Sequence, residues 1–325
     1  MFEDFKEVEA QFEKRISDIE NYINLASYER LLASSKSKMP KPYQQWKECL
    51  EKATNSSVFY NAVIISLYGC YENFIDNIFN AYLDNMCSCL RKYDDFPTQL
   101  KNTHMKATAE FLLNPQRFKD IDIGSSTAIS NLYKCINNRK SYKLNKELVT
   151  KHSGNLTHDA LDQLFINFGI KNAISRIKKS SAFIEYYKSK HDLPEIGRAK
   201  KSISRQSEDL LFEPLTDLIR RRNTVAHSWS EDNRLSPGEI RDQFIPLVKA
   251  LCKSIYYILI QEYVNIPTYS KHLVKLNIVH RVYDHNILCF NSENFQFKIG
   301  DCIFFKLSDS SQFDVAKIIE IQVEH

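Results

Sequence analysis

The chain has 325 residues, which at roughly 100–200 residues per domain is enough for two domains. Its 43% hydrophobic and 26% charged residues are typical of a globular protein with enough apolar side chains for a core. Only 7 glycines are present, and the sequence contains neither the GxGxxG nor the GxxxxGK[ST] phosphate-binding motif. The net charge of +4 neither requires nor excludes a nucleic-acid partner.

Apolar periodicity predicts long helices in the first part of the chain. Phenylalanine, valine and isoleucine recur every three or four residues over about 2–32, which indicates one helix with a single apolar stripe. A second long helix is predicted over about 56–90. It is apolar on most sides in its first half, so it should form the buried centre of a bundle. Residues 91–123 are typical of shorter helices joined by turns.

Later helices are marked by capping residues. Thr157 or Asn155 can cap a helix that Gly169 ends, and Ser207 can cap the next helix. Ser236 begins a Ser-Pro-Gly-Glu sequence, which is typical of a helix start, and the final helix should run to about residue 264.

The periodicity changes to two near residue 272, and Gly, Asp, Asn and Ser separate the apolar runs. About five short strands fit this pattern. The sequence therefore predicts a mainly α protein with a helical domain over 1–267 and a small β-domain over 268–325.

Three features predict the cellular setting. None of the eight cysteines forms a CxxC motif, and several lie in apolar runs, which favours reduced thiols over disulfides. The N-terminus is acidic and lacks the apolar region of a signal peptide. The most apolar windows are shorter than the ~20 residues of a membrane span. We therefore expect a cytoplasmic protein that does not contact a membrane.

The sequence IRRRNTVAHS is the strongest candidate for a functional site. On a helix, Asn223 and His227 share a face, and the long side chain of Arg222 can reach the same cleft. A guanidinium can bind two phosphate oxygens, and a histidine can transfer a proton near neutral pH. A purely structural role explains these residues equally well. The arginines would then pair with acidic residues, and the histidine would bind the last carbonyls of the helix.

Three short segments resemble the HEPN superfamily, in particular its RiboL-PSP and MAE-type branch. They are Arg222-Asn223-x-x-x-His227, which resembles the R-x4–6-H signature, Tyr71-Glu72-Asn73-Phe74, which resembles the YExF helix, and Gly154-Asn155-Leu156 before a helix that ends in Phe168-Gly169-Ile170. The resemblance covers about residues 1–265. Members that are paired with nucleotidyltransferases carry a tyrosine two residues after the histidine, where this chain has Trp229, so modification of such a tyrosine is not expected.

The resemblance implies an up-and-down helical bundle and a metal-independent endoribonuclease. In this family the 2′-hydroxyl of RNA attacks the adjacent phosphate and leaves a cyclic phosphate. His227 would be the general base or acid, Arg222 would stabilise charge on phosphorus, and Asn223 would orient either the histidine or the phosphate. Glu72 would hold Arg222 or His227, although a structural ion-pair role is as plausible.

The same resemblance implies the expected partners. One histidine per chain suggests a homodimer with a composite cleft, in a toxin or phage-defence setting with an antitoxin or defence-system partner protein. RNA should follow the basic stretch 171–206, which has ten Lys or Arg against three Asp or Glu. The basic residues expected to contact RNA are Lys178, Lys179, Lys200, Lys201, Arg220 and Arg221.

No cofactor or metal is expected. His152 and His158 flank a loop, and His280 and His285 have no metal-ligand spacing, so we interpret all four as structural. The alternative function is a catalytically silent HEPN module that binds RNA or a partner protein. If Arg222 and His227 of two chains face one solvent-open cleft, the enzyme is favoured, and if His227 is buried against its own helix, the adaptor is favoured.

The predicted β-domain resembles a small SH3-like barrel. The residues that carry this resemblance are 299–305 and 316–321. Residues 268–325 hold six Lys or Arg and seven Asp or Glu, whereas a surface that tracks phosphates is normally basic. A docking or sensing role is therefore favoured over nucleic-acid binding, and a rigid cap on the helical bundle is equally plausible.

Overall fold

The structure is a computed structural model that describes residues 3–34, 40–54, 56–119, 121–152, 154–228, 233–266, 279–283, 287–290, 296–306 and 313–322. This part of the chain is mainly helical, as the sequence predicts. Its α-helices are α1 (Glu3–Ser34), α2 (Lys41–Thr54), α3 (Ser57–Cys89), α4 (Thr98–Leu113), α5 (Ser125–Ile136), α6 (Lys146–Thr150), α7 (His158–Asn167), α8 (Ala173–Lys178), α9 (Ser181–Lys190), α10 (Ile196–Arg205), α11 (Glu208–Leu211), α12 (Glu213–Ser228) and α13 (Pro237–Val264). Two short 3-10 helices, Tyr93–Asp95 and Pro115–Phe118, flank α4.

Helices α1, α3 and α13 form the main core. Phe12 of α1 contacts Phe74 of α3, whereas Tyr22, later in α1, contacts Phe59, earlier in α3. These two helices are therefore antiparallel. Contacts of α1 with α13 also run backwards, because Phe5 meets Tyr263 near the end of α13 whereas Glu20 pairs with Lys249. A smaller core between α4, α5 and α6 is formed by Phe111, Phe118, Ala128 and Leu148.

Helix α13 has the length and composition of a membrane span. It is the only helix in the described ranges that passes this test, and 78% of its most apolar window is buried inside the fold. Burial against α1, α3 and α9 therefore accounts for its apolar composition.

The capping residues lie where the sequence predicts them, with one difference. Ser236 and Glu239 form a reciprocal capping box at the start of α13, and Thr157 caps α7. The helix predicted from Ser207 onward is instead two helices, α11 and α12, separated at Phe212. Pro214 explains the break, because proline lacks an N–H group and fits only the first turn of a helix.

The C-terminal part contains two antiparallel hairpins. The strands are β1 (Val279–Tyr283), paired with β2 (Ile287–Phe290), and β3 (Cys302–Lys306), paired with β4 (Phe313–Lys317). Among the described residues no strand joins the two hairpins, so the predicted SH3-like barrel is not supported. Alternating apolar residues and turn signals specify strands and local hairpins, but they do not specify which strands close a sheet.

The second hairpin packs on the helical bundle. Val315 of β4 is buried in the main core, and Cys302 and Phe304 of β3 pack against that core. Lys317 also forms an ion pair with Glu3 at the start of α1. These contacts favour a structural cap on the bundle for this part of the β-region.

A buried arginine fixes α12 against α3. Arg221 is 4% exposed, and its guanidinium donates hydrogen bonds to Asp217, the Tyr60 hydroxyl and the carbonyl of Asn233. The same side chain therefore connects α12, α3 and the segment before α13. Burial acts to lower the pKa of Arg221, but the hydrogen bonds to Asp217 and Tyr60 outweigh it and raise this pKa.

Replacing Arg221 with alanine should destabilise the protein by about 3–5 kcal/mol, because the mostly buried Asp217 would lose its buried partner. The Tyr60 hydroxyl and the Asn233 carbonyl would also lose their donor. Arg220 pairs with the same carboxylate from an exposed position, so Arg220→Ala should cost less than about 1 kcal/mol. Chemical unfolding of the two variants measures this difference. Equal losses of stability would contradict the anchoring role of Arg221.

Candidate active site

Helix α12 places Arg222 over an aromatic ring of α3. The guanidinium carbon of Arg222 lies 4.9 Å from the centre of the Tyr68 ring, which is a cation–π geometry. Arg222 Nη1 also donates a hydrogen bond to Asn223 Oδ1 at 3.1 Å. Arg222 is partly buried, and its charged head lies at the junction of the two helices.

The Tyr68 hydroxyl connects three segments of this junction. It accepts a hydrogen bond from the backbone N–H of Leu156 at 3.1 Å and lies 3.5 Å from Glu72 Oε1. Tyr71 donates to the Leu156 carbonyl at 3.3 Å, so the segment before α7 is attached to α3 at two points. Burial raises the pKa of Tyr68, which keeps the phenol neutral and able to donate to Glu72.

A histidine that the sequence interpretation treated as structural lies beside the same face of α3. His152 Nδ1 is 3.0 Å from the Gly154 carbonyl oxygen, and Nε2 is 3.3 Å from Asp76 Oδ1. Both neighbours only accept hydrogen bonds, so the geometry fits the doubly protonated imidazolium. The hydrogen bond to Asp76 raises the pKa of His152, and the Glu72 carboxylate acts in the same direction.

His227 is exposed, five residues after Arg222 and one residue before α12 ends. Within the described ranges no hydrogen bond or ion pair fixes its ring. A His227 buried against its own helix would favour the adaptor, and this burial is not observed, whereas a cleft shared by two chains stays a prediction. The structure thus groups Arg222, Asn223 and Glu72 around Tyr68, with His227 on the open side of α12.

The comparisons with known proteins identify the family. The RiboL-PSP-HEPN family model matches residues 14–261, which is more than half of the chain. The chain belongs to the RiboL-PSP-HEPN family. Neither the curated proteins nor the solved structures gave a match. Family membership confirms the HEPN part of the resemblance and supports a nuclease or RNA-binding function.

The structure separates the three consecutive arginines of this HEPN chain. Arg220 is exposed and Arg222 lies at the junction with α3, whereas Arg221 points into the protein. The expectation that Arg221 lies on an RNA-facing surface is therefore corrected. Leu218, Arg221 and Val225 lie on one buried helical face, and that spacing places residue 221 inside.

The predicted lysines lie on two elements. Lys178, at the end of α8, forms an ion pair with Glu208 at 3.2 Å and is mostly buried, while the adjacent Lys179 is exposed. Lys200 and Lys201 are exposed on α10, whose opposite face buries Ala199 and Ile203.

The remaining sequence candidates do not add to the cluster. His158 is mostly buried, stacks on Phe212 and lies 3.6 Å from Asp209, which is a structural setting. His280 lies in β1, where the backbone alone is described, and His285 and Trp229 lie outside the described residues. In the described part of the chain, no three metal-ligating side chains form a cluster that could hold a metal ion.

The ring of His152 should titrate above its ordinary pKa of 6.5, because Asp76 stabilises the imidazolium. A raised pKa contributes stability that is fully present below 6.5 and is lost as pH rises through the folded-state pKa. Histidine-detected NMR titration measures the pKa, and Asp76→Asn should lower it.

His104 provides an internal control in the same spectra. Burial lowers its pKa to about 4, so its signals should stay constant above pH 6. A His152 pKa that is unchanged by Asp76→Asn would contradict the pairing.

Proposed function

We propose that this HEPN protein is a metal-independent endoribonuclease. The observation that carries the proposal is the position of Arg222, whose guanidinium lies at the α3–α12 junction, beside Tyr68 and Glu72 and on the same helix as an exposed His227. A fixed guanidinium can stabilise the charge that develops on a phosphate, and an exposed imidazole can exchange a proton with a bound nucleotide.

In this reaction the 2′-hydroxyl of one nucleotide attacks the adjacent phosphorus. His227 accepts the hydroxyl proton as the general base, and Arg222 stabilises the negative charge on the non-bridging oxygens. Asn223 orients Arg222 through the hydrogen bond between their side chains. Glu72 lies 3.5 Å from the Tyr68 hydroxyl and helps to hold the ring that lies under Arg222. The products are a 2′,3′-cyclic phosphate and a 5′-hydroxyl.

A silent RNA- or protein-binding adaptor is the second candidate. The observation in its favour is that Arg222 already stacks on Tyr68 and contacts Asn223, so its position is explained without a substrate. In the part of the chain that the structure describes, no hydrogen bond or ion pair accounts for the position of His227, which is why the enzyme is preferred.

The exposed basic residues support RNA as the ligand. Lys179 lies just after α8, and Lys200 and Lys201 lie on the exposed face of α10. They can therefore bind phosphates without disturbing the packing of the core. The resemblance alone supports the remaining setting, which is a cytoplasmic toxin or phage-defence effector under the control of an antitoxin or defence-system protein.

Arg222→Ala and His227→Ala should each reduce RNA cleavage by a factor of about 10²–10⁴ while the protein stays folded. Cleavage of total RNA in EDTA, with chemical identification of a cyclic phosphate end, tests the proposal. Arg139→Ala is the control, because it removes an exposed arginine outside the motif and outside the basic stretch 171–206. Full activity in both folded site variants would rule out this motif as the active site.

We also propose a homodimer. Large apolar side chains are exposed on α1, α2 and the first half of α3, which would be buried by a second copy. They are Tyr22, Leu25, Tyr43, Trp46, Val58 and Ile65.

The protein should therefore scatter light as a dimer at micromolar concentration, and Ile65→Glu should shift it toward the monomer. Leu113→Glu changes an exposed leucine on α4 and should leave the dimer intact. A monomeric wild-type protein would refute this part of the proposal.

A further inference from the structure

We propose that His152 is the general acid of this ribonuclease site and donates a proton to the 5′-oxygen of the leaving nucleotide. This inference rests on the proposed ribonuclease function and deepens it. A composite cleft would take its second imidazole from a second copy of His227. The structure places a different imidazole, on a different segment, beside the cluster that contains Arg222 of the same chain.

The position of His152 is fixed from both sides. Its Nδ1 donates to the Gly154 carbonyl, which sets the orientation of the ring, and its Nε2 faces Asp76. Asp76 lies one helical turn after Glu72, so both carboxylates share one face of α3. This arrangement holds a positive imidazolium next to two negative groups, as a proton donor at neutral pH requires.

The segment that carries His152 is attached to the Arg222 cluster. Leu156 N–H binds the hydroxyl of Tyr68, and the ring of Tyr68 lies under Arg222. The Glu72 carboxylate interacts electrostatically with both Tyr68 and His152. Tyr68 is therefore the common neighbour, because it contacts Arg222, Leu156 and Glu72.

The proton on His152 Nε2 can be transferred on the solvent-exposed side of the His152–Asp76 contact. The His152 side chain is 15% exposed and the Asp76 side chain 45% exposed, so the carboxylate can turn toward solvent when a phosphodiester approaches Nε2. The Gly154 contact is on the other ring nitrogen and keeps the ring in place during this exchange.

The reaction balances in protons and bonds. The 2′-oxygen gives its proton to His227 and forms a bond to phosphorus, while the bond from phosphorus to the 5′-oxygen breaks. The electron pair of that bond stays on the 5′-oxygen, which takes the proton from His152 Nε2. His152 ends neutral and His227 ends protonated, and water exchanges the proton back between turnovers.

A change of leaving group tests this role directly. The substrates are an RNA with its mapped cleavage site and the same RNA with sulfur in place of the bridging 5′-oxygen at that site. A thiolate leaves without protonation, so a general acid matters only for the oxygen substrate. His152→Gln should lower cleavage of the oxygen substrate by about 10²–10⁴ and change cleavage of the sulfur substrate only slightly.

His227→Ala should lower cleavage of both substrates, because the attacking hydroxyl is the same in each. His191→Gln changes an exposed histidine at the end of α9 and serves as the control with wild-type rates on both. Unchanged cleavage of the oxygen RNA by His152→Gln, or equal losses on both substrates, would overturn the assignment.

Asp76→Asn gives a second test that does not depend on how well His152→Gln folds. The alkaline limb of the pH–rate profile reports the acid, and it should move to lower pH in this variant while the acidic limb stays in place. An unmoved alkaline limb would overturn the proposal. A wild-type protein that cleaves neither RNA would instead refute the ribonuclease function itself, so the two failures are distinguishable.

Discussion

The buried phenol of Tyr68 is the contact on which the candidate site depends. Its ring supports Arg222 from α12, and its hydroxyl accepts from Leu156 before α7 while it faces Glu72 on its own helix. A hydroxyl can accept and donate at the same time, so one group satisfies a buried backbone N–H and orients a carboxylate. Three segments that are distant in sequence therefore meet at a single, neutral side chain.

The contact between Arg222 and Tyr68 forms only if α12 keeps a fixed position along α3. The neighbouring Arg221 fixes that position. Arg221 and Arg222 are consecutive, so their side chains leave the helix about 100° apart and take different environments. Arg221 points inward and binds Asp217 and Tyr60, and Arg222 lies at the surface of the α3–α12 junction. Of these two adjacent residues, Arg221 thus anchors the helix, and Arg222 is the one that we propose binds a ligand.

Local sequence signals predicted much of the fold and only part of the site. The bounds of α1, α3 and α13 followed from apolar periodicity and from capping residues such as Ser236, because these signals act within one element. Helix α2 was not predicted, because it follows a polar, proline-containing stretch and buries little. The closed barrel is not supported by the described residues, and pairing between hairpins depends on contacts that no local pattern encodes.

The same distinction explains which site residues were found. Arg222, Asn223 and His227 lie within six positions of one helix, so their spacing was visible in the sequence. His152 and Asp76 are separated by 76 positions, and only the packing of the loop onto α3 brings them together. A helical wheel would have placed Arg221 inside, since it falls on the face of Leu218 and Val225.

The balance of charge at the junction limits what it can bind. Two carboxylates, Glu72 and Asp76, would by themselves repel a phosphodiester, because like charges at short range are unfavourable in a partly buried setting. Arg222 and His152 offset them, so in the proposed reaction a phosphate would meet two cations, and Asp76, the partner of His152, is exposed enough to turn toward water. A cleft of this kind binds a phosphate less tightly than a purely basic one would. Arg222 and His152 are nevertheless held in place by contacts within the protein, and in the proposed reaction such preorganisation would favour the transition state over the ground state.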